Sequence, residues 1–91
     1  MIKLIFSWNI KSEEEREYFE FIVQEFAPKI MRMGIRLTEA WYTVYGTGPQ
    51  IIMPGVALDR DTLEETMAGD EWLRLIKRLQ GFVTDYRCRI L

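Results

Sequence analysis

Histidine is absent from this chain of 91 residues, and Cys88 is its single cysteine. Histidine is the usual side chain for moving protons near neutral pH, and histidine and cysteine are the usual ligands of zinc. A lone cysteine also has no partner for a disulfide within the chain. The sequence therefore excludes histidine-based acid–base catalysis, serine triads and single-chain zinc sites, and we expect neither a metal nor a cofactor.

Carboxylates form the densest group of chemically active side chains. They are Glu13, Glu14, Glu15 and Glu17. Carboxylate oxygens can bind calcium, but these four lie in the first turns of a predicted helix and lack the loop spacing of calcium sites. Negative charge is favoured there by the helix dipole. We interpret the group as a solvated charge run.

The hydrophobic periodicities predict the elements that position every other side chain. Strands are predicted at Met1–Ile10, Ile35–Tyr45, Gln50–Leu58 and Phe82–Leu91, and helices at Ser12–Met33 and Asp61–Gln80. This β-α-β-β-α-β order is ferredoxin-like and predicts an α+β sandwich, with a four-stranded antiparallel sheet and helices on one face. We expect one domain over residues 1–91.

The first predicted helix has a capping-box spacing from Ser12 to Glu15. Its stripe toward the sheet is predicted to be Phe19, Ile22, Val23, Phe26, Ile30 and Met33. Tyr18 and Phe21 lie beside this stripe, where partial burial is favoured over a subunit contact. Pro28 falls inside the pattern and predicts a kink or break.

Glycine and proline mark irregular points in the rest of the chain. The segment Gly46–Pro49 joins two predicted strands and opens no helix, so we interpret it as a hairpin turn and not as a phosphate loop. Pro54 predicts a bulge or bend in a strand expected to be buried on both faces. Gly69 divides the second helical region, with Asp61 and Asp70 as expected caps. The buried stripe of its second piece is predicted to be Trp72, Leu75, Ile76 and Leu79.

Alternation of apolar and polar residues along the first and last predicted strands predicts which side chains face the helices. In the first strand they are Ile2, Leu4, Phe6 and Trp8; in the last they are Phe82, Thr84, Tyr86, Cys88 and Ile90. Cys88 is then a small core hydrophobe. The opposite, mixed face carries Lys3, Asp85, Arg87, Arg89 and either Arg36 or Glu39, because both alternations of strand 35–45 are mixed. An ion-paired dimer interface is favoured for this face, and a charged wall that binds an anionic ligand is the alternative.

Composition and charge limit the classes of binding partner that we expect. A hydrophobic fraction of 48% supports a packed core, and a net charge of −2 argues against nucleic acid or anionic lipid as a partner. The third strand lacks the aromatic and basic residues with which RNA-recognition domains of the same order bind RNA. No apolar run approaches the ~20 residues that span a membrane, and the start reads as a strand, not a secretion signal. We expect a soluble cytoplasmic protein.

With its elements placed, the chain resembles the dimeric α/β-barrel superfamily, in an antibiotic-biosynthesis-monooxygenase-like or uncharacterised branch. The resemblance rests on the element order, on Asp70-Glu71-Trp72 early in the main piece of a broken second helix, and on the stretch Glu39–Tyr45. It implies that the open sheet faces of two copies pair across a two-fold axis. The protein's own second copy is thus its expected partner.

The resemblance also implies a pocket between sheet and helices, lined by aromatic side chains. The residues that fit this position are Trp8, Trp41, Trp72 and Tyr86, with Tyr86 or Arg87 available to polarise a carbonyl. Haem-linked branches depend on an axial histidine, which this chain lacks. The favoured hypothesis is a non-catalytic homodimeric module that is structural or binds a small apolar or aromatic ligand. The alternative is a cofactor-independent monooxygenase-like enzyme acting on a small aromatic substrate.

Overall fold

The computed structural model describes residues 1–42 and 49–91, and only the backbone of Trp41 and Tyr42. The strands are β1 (Ile2–Ile10), β2 (Ile35–Leu37), β3 (Trp41–Tyr42), β4 (Ile51–Ala57) and β5 (Val83–Ile90). The helices are α1 (Glu15–Phe21), a π-helical turn (Ile22–Phe26), α2 (Ala27–Arg32), α3 (Arg60–Met67) and α4 (Asp70–Leu79). Residues 43–45 of the predicted strand 35–45 and residues 46–48 of the predicted hairpin turn lie outside the described part.

The strands form one antiparallel sheet in the order β2–β4–β1–β5, and β3 also pairs with β4. Leu4, Phe6 and Trp8 of β1 are fully buried on the face that the helices cover. The β-α-β-β-α-β order and the ferredoxin-like α+β architecture are therefore confirmed. Alternate residues of β1 and β4 face away from the helices, and we call that side of the sheet the open face.

The buried stripe of the first helix differs from the prediction. Tyr18 and Phe21 are buried, at 1% and 5% exposure, whereas Phe19 and Val23 are 49% and 70% exposed. The cause is the π-helical turn, in which the N–H of Ala27 bonds the carbonyl of residue 22 and not that of residue 23. A π turn adds one residue to the helix, so the buried positions before it move back by one.

Pro28 explains the position of that irregular turn, and where the sequence predicted a kink or break, the structure has a π-helical turn. Proline has no N–H to donate, and its ring clashes with the carbonyl four residues earlier in a regular helix. Here it lies in the first turn of α2, directly after the π-helical turn. The wider turn therefore accommodates the ring within a continuous helical segment.

The predicted helix caps at Ser12, Asp61 and Asp70 are wrong. Helix α1 begins at Glu15 because the chain first makes a turn, in which the N–H of Glu14 bonds the Lys11 carbonyl at 3.2 Å. Asp59 caps α3, since its Oδ1 accepts the Thr62 N–H at 2.8 Å. Asp70 is the first residue of α4, and Gly69 occupies the cap. The division of this region into two helices is confirmed.

The predicted bulge at Pro54 is displaced to the neighbouring strand. Pairing of β1 with β4 runs without a shift from Ile2–Ala57 to Trp8–Ile51. The Pro54 carbonyl accepts the Thr38 N–H at 3.1 Å, so the missing proline N–H would face the β2–β3 edge. That edge strand is interrupted there, between Leu37 and Trp41. Moreover, β4 is buried on its helix side and only half-buried on the open face, not buried on both.

A β-bulge in β5 overturns part of the predicted alternation. The register between β1 and β5 shifts by one residue between the pairs Ser7–Arg87 and Asn9–Thr84. Residues 85 and 86 of β5 therefore lie opposite a single residue of β1. Asp85 adopts φ 56°, in the left-handed region. The phase of the strand therefore changes: Val83 is buried and Thr84 exposed before the bulge, whereas Tyr86 and Cys88 pack against the core after it.

The second helical region completes the core as predicted. Its buried side chains are Leu63, Trp72, Leu75, Ile76 and Leu79. Among the described residues, no helix combines the length and the apolar character needed to cross a membrane.

Candidate functional site

Aromatic rings occupy the middle of the core, between sheet and helices. This aromatic cluster consists of Phe6, Trp8, Tyr18, Phe26, Trp72 and Tyr86. Trp8 is fully buried, donates its indole N–H to the Tyr18 hydroxyl at 2.8 Å, and stacks on Tyr86 with centroids 6.3 Å apart. Phe6 lies 5.8 Å from Phe26 and 5.9 Å from Trp72. Two of the four tryptophan and tyrosine candidates, Trp8 and Tyr86, are thus in direct contact.

The other pocket candidates lie apart from this pair. Trp72 contacts Phe6 and also lines a cleft of about 460 Å³ with Arg32, Met33 and the start of α4. The Trp41 side chain lies outside the described residues. Arg87 is exposed on the open face, opposite to Tyr86, because consecutive strand residues point to opposite sides. Tyr86 and Arg87 therefore do not meet in one pocket.

Burial determines the ionisation of the polar groups in the core. It raises the pKa of Tyr18 to about 12, against a smaller opposing effect of the hydrogen bond from Trp8. Burial also raises the pKa of Tyr86 above its ordinary value, with a further contribution from the nearby Cys88. Both phenols are therefore neutral at physiological pH and are hydrogen-bonding groups, not bases.

Cys88 should react slowly with alkylating reagents in the folded protein. Burial raises the pKa of its thiol to about 11, and only the thiolate is nucleophilic. A free cysteine has a pKa of about 8.5, so we expect alkylation by iodoacetamide at pH 8 to be more than tenfold slower in native protein than in guanidinium. Mass spectrometry of quenched samples measures both rates. Equal rates would contradict the burial of this thiol.

The open face presents a half-buried apolar strip. Its members are Ile5, Ile52, Pro54 and Val56. They are adjacent, because Ile5 pairs with Pro54 and the next alternate pairs are Lys3–Val56 and Ser7–Ile52. A cleft of about 310 Å³ lies over the strip and is also lined by Lys3, Thr38 and Leu91.

Cationic side chains surround the apolar strip. They are Lys3, Arg36, Arg87 and Arg89, all exposed. The pairing places Arg36 opposite Val56, Arg89 opposite Ile5 and Arg87 opposite Ser7. Burial of Ile35 places Arg36 on the open face, so the phase left open by the sequence is settled for residues 35–37. In the part of the chain that the structure describes, none of the four cations lies in an ion pair.

A polar network that sequence reasoning missed closes one end of the sheet. The Asn9 Nδ2 donates to Asp85 Oδ2 at 3.0 Å, and Asn9 Oδ1 accepts the Gln50 N–H at 2.8 Å. Gln50 Oε1 in turn accepts the Ile10 N–H at 2.7 Å. The network joins β1, the start of β4 and the bulge of β5. The members of the network are far apart in sequence. The sequence signal that could have indicated it was the polar residue Asn9 within a mainly apolar strand.

Comparisons with known proteins identify the fold. No protein-family model matches the sequence, and a comparison with curated proteins finds no similar sequence. A NIPSNAP family protein from Agrobacterium tumefaciens matches with a TM-score of 0.71 and 26% identity, over 99% of this chain and 90% of that one. A NIPSNAP domain protein from Burkholderia xenovorans matches with a TM-score of 0.70 and 18% identity, over 100% and 92%. An antibiotic biosynthesis monooxygenase matches with a TM-score of 0.66 and 18% identity, over 100% and 96%.

This chain has the fold of the dimeric α/β-barrel superfamily. The resemblance inferred from the element order and the broken second helix is therefore confirmed at the level of the fold. The likeness covers the whole chain and most of each solved structure, so the match is not limited to one supersecondary motif.

Proposed function

We propose that this protein is a homodimeric small-molecule-binding module that performs no catalysis and pairs through its open face. The observation that carries the proposal is the apolar strip at Ile5, Ile52, Pro54 and Val56, which is partly exposed in the single chain. Contiguous apolar surface within a polar rim is typical of interaction sites. A two-fold axis would place the same strip of a second copy against it.

The size of the domain supports the same proposal. A chain of 91 residues covers one face of its sheet with helices, and it leaves the other face to solvent or to a partner. The superfamily resemblance implies that the covering element is a second sheet. Small-molecule sites occur preferentially in such clefts between packed layers, and the cleft of about 310 Å³ over the strip falls within the size range of ligand pockets.

The alternative is a cofactor-independent monooxygenase-like enzyme, as the name of one structural neighbour suggests. Such an enzyme would hold an aromatic substrate among the predicted pocket residues, of which Trp8, Trp72 and Tyr86 have described side chains. In the described part of the chain, Trp8 stacks on Tyr86 and donates to Tyr18, so its ring faces are occupied by core packing. The cleft over the open face is instead lined by Lys3, Ile5 and Pro54, among other residues, and by neither Trp8 nor Tyr86. The binding module is therefore favoured.

Native mass spectrometry and light scattering on gently purified protein test the proposal. We expect twice the chain mass of 10.9 kDa at micromolar concentration, and a discrete bound small molecule in a fraction of the dimers. Stable monomers at high concentration would contradict pairing through the open face. Turnover of quinols with consumption of oxygen would instead support the enzyme.

A further inference from the structure

We infer that the open faces of the dimer bind an anionic amphiphile: a molecule with an apolar chain and one carboxylate or similar head group. The inference rests on the proposed dimer and adds the chemical class of its ligand. The apolar chain would lie along the strip at Ile5, Ile52, Pro54 and Val56. The head group would lie at Arg87 and Arg89, beside Lys3.

Positive charges lie close together on the open face. Arg87 and Arg89 are two residues apart on one side of β5, and Lys3 lies diagonally across from Arg89 on β1. Long side chains at diagonal positions are within reach of each other, and like charges there repel. Among the described residues no carboxylate lies in an ion pair with them, and the carboxylate of Asp85 on the same strand is hydrogen-bonded to Asn9.

Two-fold symmetry would double the positive charge between the two sheets. A two-fold dimer brings identical faces together, so each cation of one protomer is repeated in the enclosed space. A chain with a net charge of −2 thus concentrates positive charge on the face that would be desolvated. Burying unpaired cations is costly, and a bound anion offsets part of this cost through charge-assisted hydrogen bonds to the arginines.

The shape and polarity of the cleft over the strip suit an alkyl chain. Its wall between Lys3 and Thr38 is mainly apolar, formed by Ile5, Pro54 and Val56. Its volume of about 310 Å³ in one protomer suits part of a short alkyl chain, and the facing protomer would extend it. A free inorganic anion would leave this apolar surface uncovered, so an amphiphile fits the cleft better.

Single-stranded RNA is the competing anion for a basic sheet face in this topology. RNA-binding sheets stack bases on aromatic side chains. On the described part of the open face, the central positions are aliphatic, serine or proline. The apolar strip therefore favours an alkyl chain over a nucleobase.

Calorimetric titration of the purified protein with sodium octanoate tests the inference. 1-Octanol and octyltrimethylammonium have the same chain without the negative charge and serve as matched ligands. We expect octanoate to bind most tightly and its affinity to fall with added salt. In Arg89→Gln, octanoate affinity should fall about tenfold or more, because a charge-assisted hydrogen bond is lost. Lys77→Gln, at an exposed position of α4, is the matched control and should bind as wild type.

Three results would overturn the inference. They are octanoate binding no tighter than octanol, unchanged affinity in Arg89→Gln, and preference for an oligoribonucleotide over octanoate. If Arg89→Gln fails to fold, as judged by circular dichroism, Arg87→Gln provides the same comparison, because Arg87 is the other arginine of the proposed head-group site. Light scattering on each sample separates the two ideas: a dimer that ignores octanoate overturns only the ligand class. A monomer that binds octanoate through Arg89 overturns the proposed dimer.

Discussion

Replacing Trp8 with alanine is expected to lower the free energy of unfolding by about 3–5 kcal/mol. Trp8 is fully buried, and its ring neighbours four others, so its removal leaves a large cavity at the centre of the aromatic cluster. Small domains have a total stability of about 5–15 kcal/mol, and the variant would therefore be close to unfolding at 37 °C. Urea denaturation followed by circular dichroism measures the difference.

The matched control is Phe19→Ala, which also truncates an aromatic ring but at a position that is 49% exposed. We expect this change to cost about 1 kcal/mol or less, because little cavity forms. The regular-helix prediction, in which Phe19 faces the sheet, requires a core-sized loss instead. Equal losses at Trp8 and Phe19 would therefore contradict the π-helical turn.

The hydrogen bond between Trp8 and Tyr18 can be separated from packing by a double-mutant cycle. Trp8→Phe removes the indole donor, and Tyr18→Phe removes the hydroxyl acceptor, each leaving the other polar group buried. We expect the double variant to be more stable than the sum of the single losses predicts, by about 1 kcal/mol. Additive losses would show that the two groups do not interact in solution.

The order of elements could be predicted because it depends on periodicity over long segments, which single irregularities do not erase. The set of residues that face the core could not be predicted in full. One extra residue in a strand reverses which side chains face the core on one side of it, and one extra residue in a helix rotates the buried stripe. The π-helical turn before Pro28 exchanged Phe19 for Tyr18 in the core, and the bulge at Asp85 exchanged Thr84 for Val83. Proline signalled the first of these irregularities, whereas no residue type announced the left-handed Asp85.

The open face was partly predictable for the same reason. Lys3, Arg87 and Arg89 lie on strands with a clear alternation, so the sequence placed them together on the side away from the helices. Arg36 remained open because both alternations of its strand are mixed, and only the burial of Ile35 decides between them. Trp8 and Tyr86 were correctly assigned to the helix side of their strands, but sequence does not distinguish a ring that lines a cavity from one that fills it.

Replacing Ile5 with lysine is expected to raise the dissociation constant of the proposed dimer by at least about a hundredfold. Ile5 lies at the centre of the apolar strip, between Pro54 on β4 and Arg89 on β5. A lysine there adds a cation to each facing sheet, next to an existing one, and an unpaired charge buried in an interface costs several kcal/mol. Tenfold in affinity corresponds to about 1.4 kcal/mol, so the expected loss is a conservative value.

Val23→Lys is the matched control, because Val23 is also an aliphatic residue but is 70% exposed on the helical layer, away from the open face. Analytical ultracentrifugation over a range of concentrations should give monomers for Ile5→Lys and dimers for wild type and Val23→Lys. Circular dichroism should show all three folded, since the Ile5 side chain is already partly exposed in the single chain. The opposite pattern, with Val23→Lys monomeric and Ile5→Lys dimeric, would transfer the interface to the exposed helix surface. In that case the cations of the open face would remain in solvent, and the electrostatic argument for an enclosed anion would lose its basis.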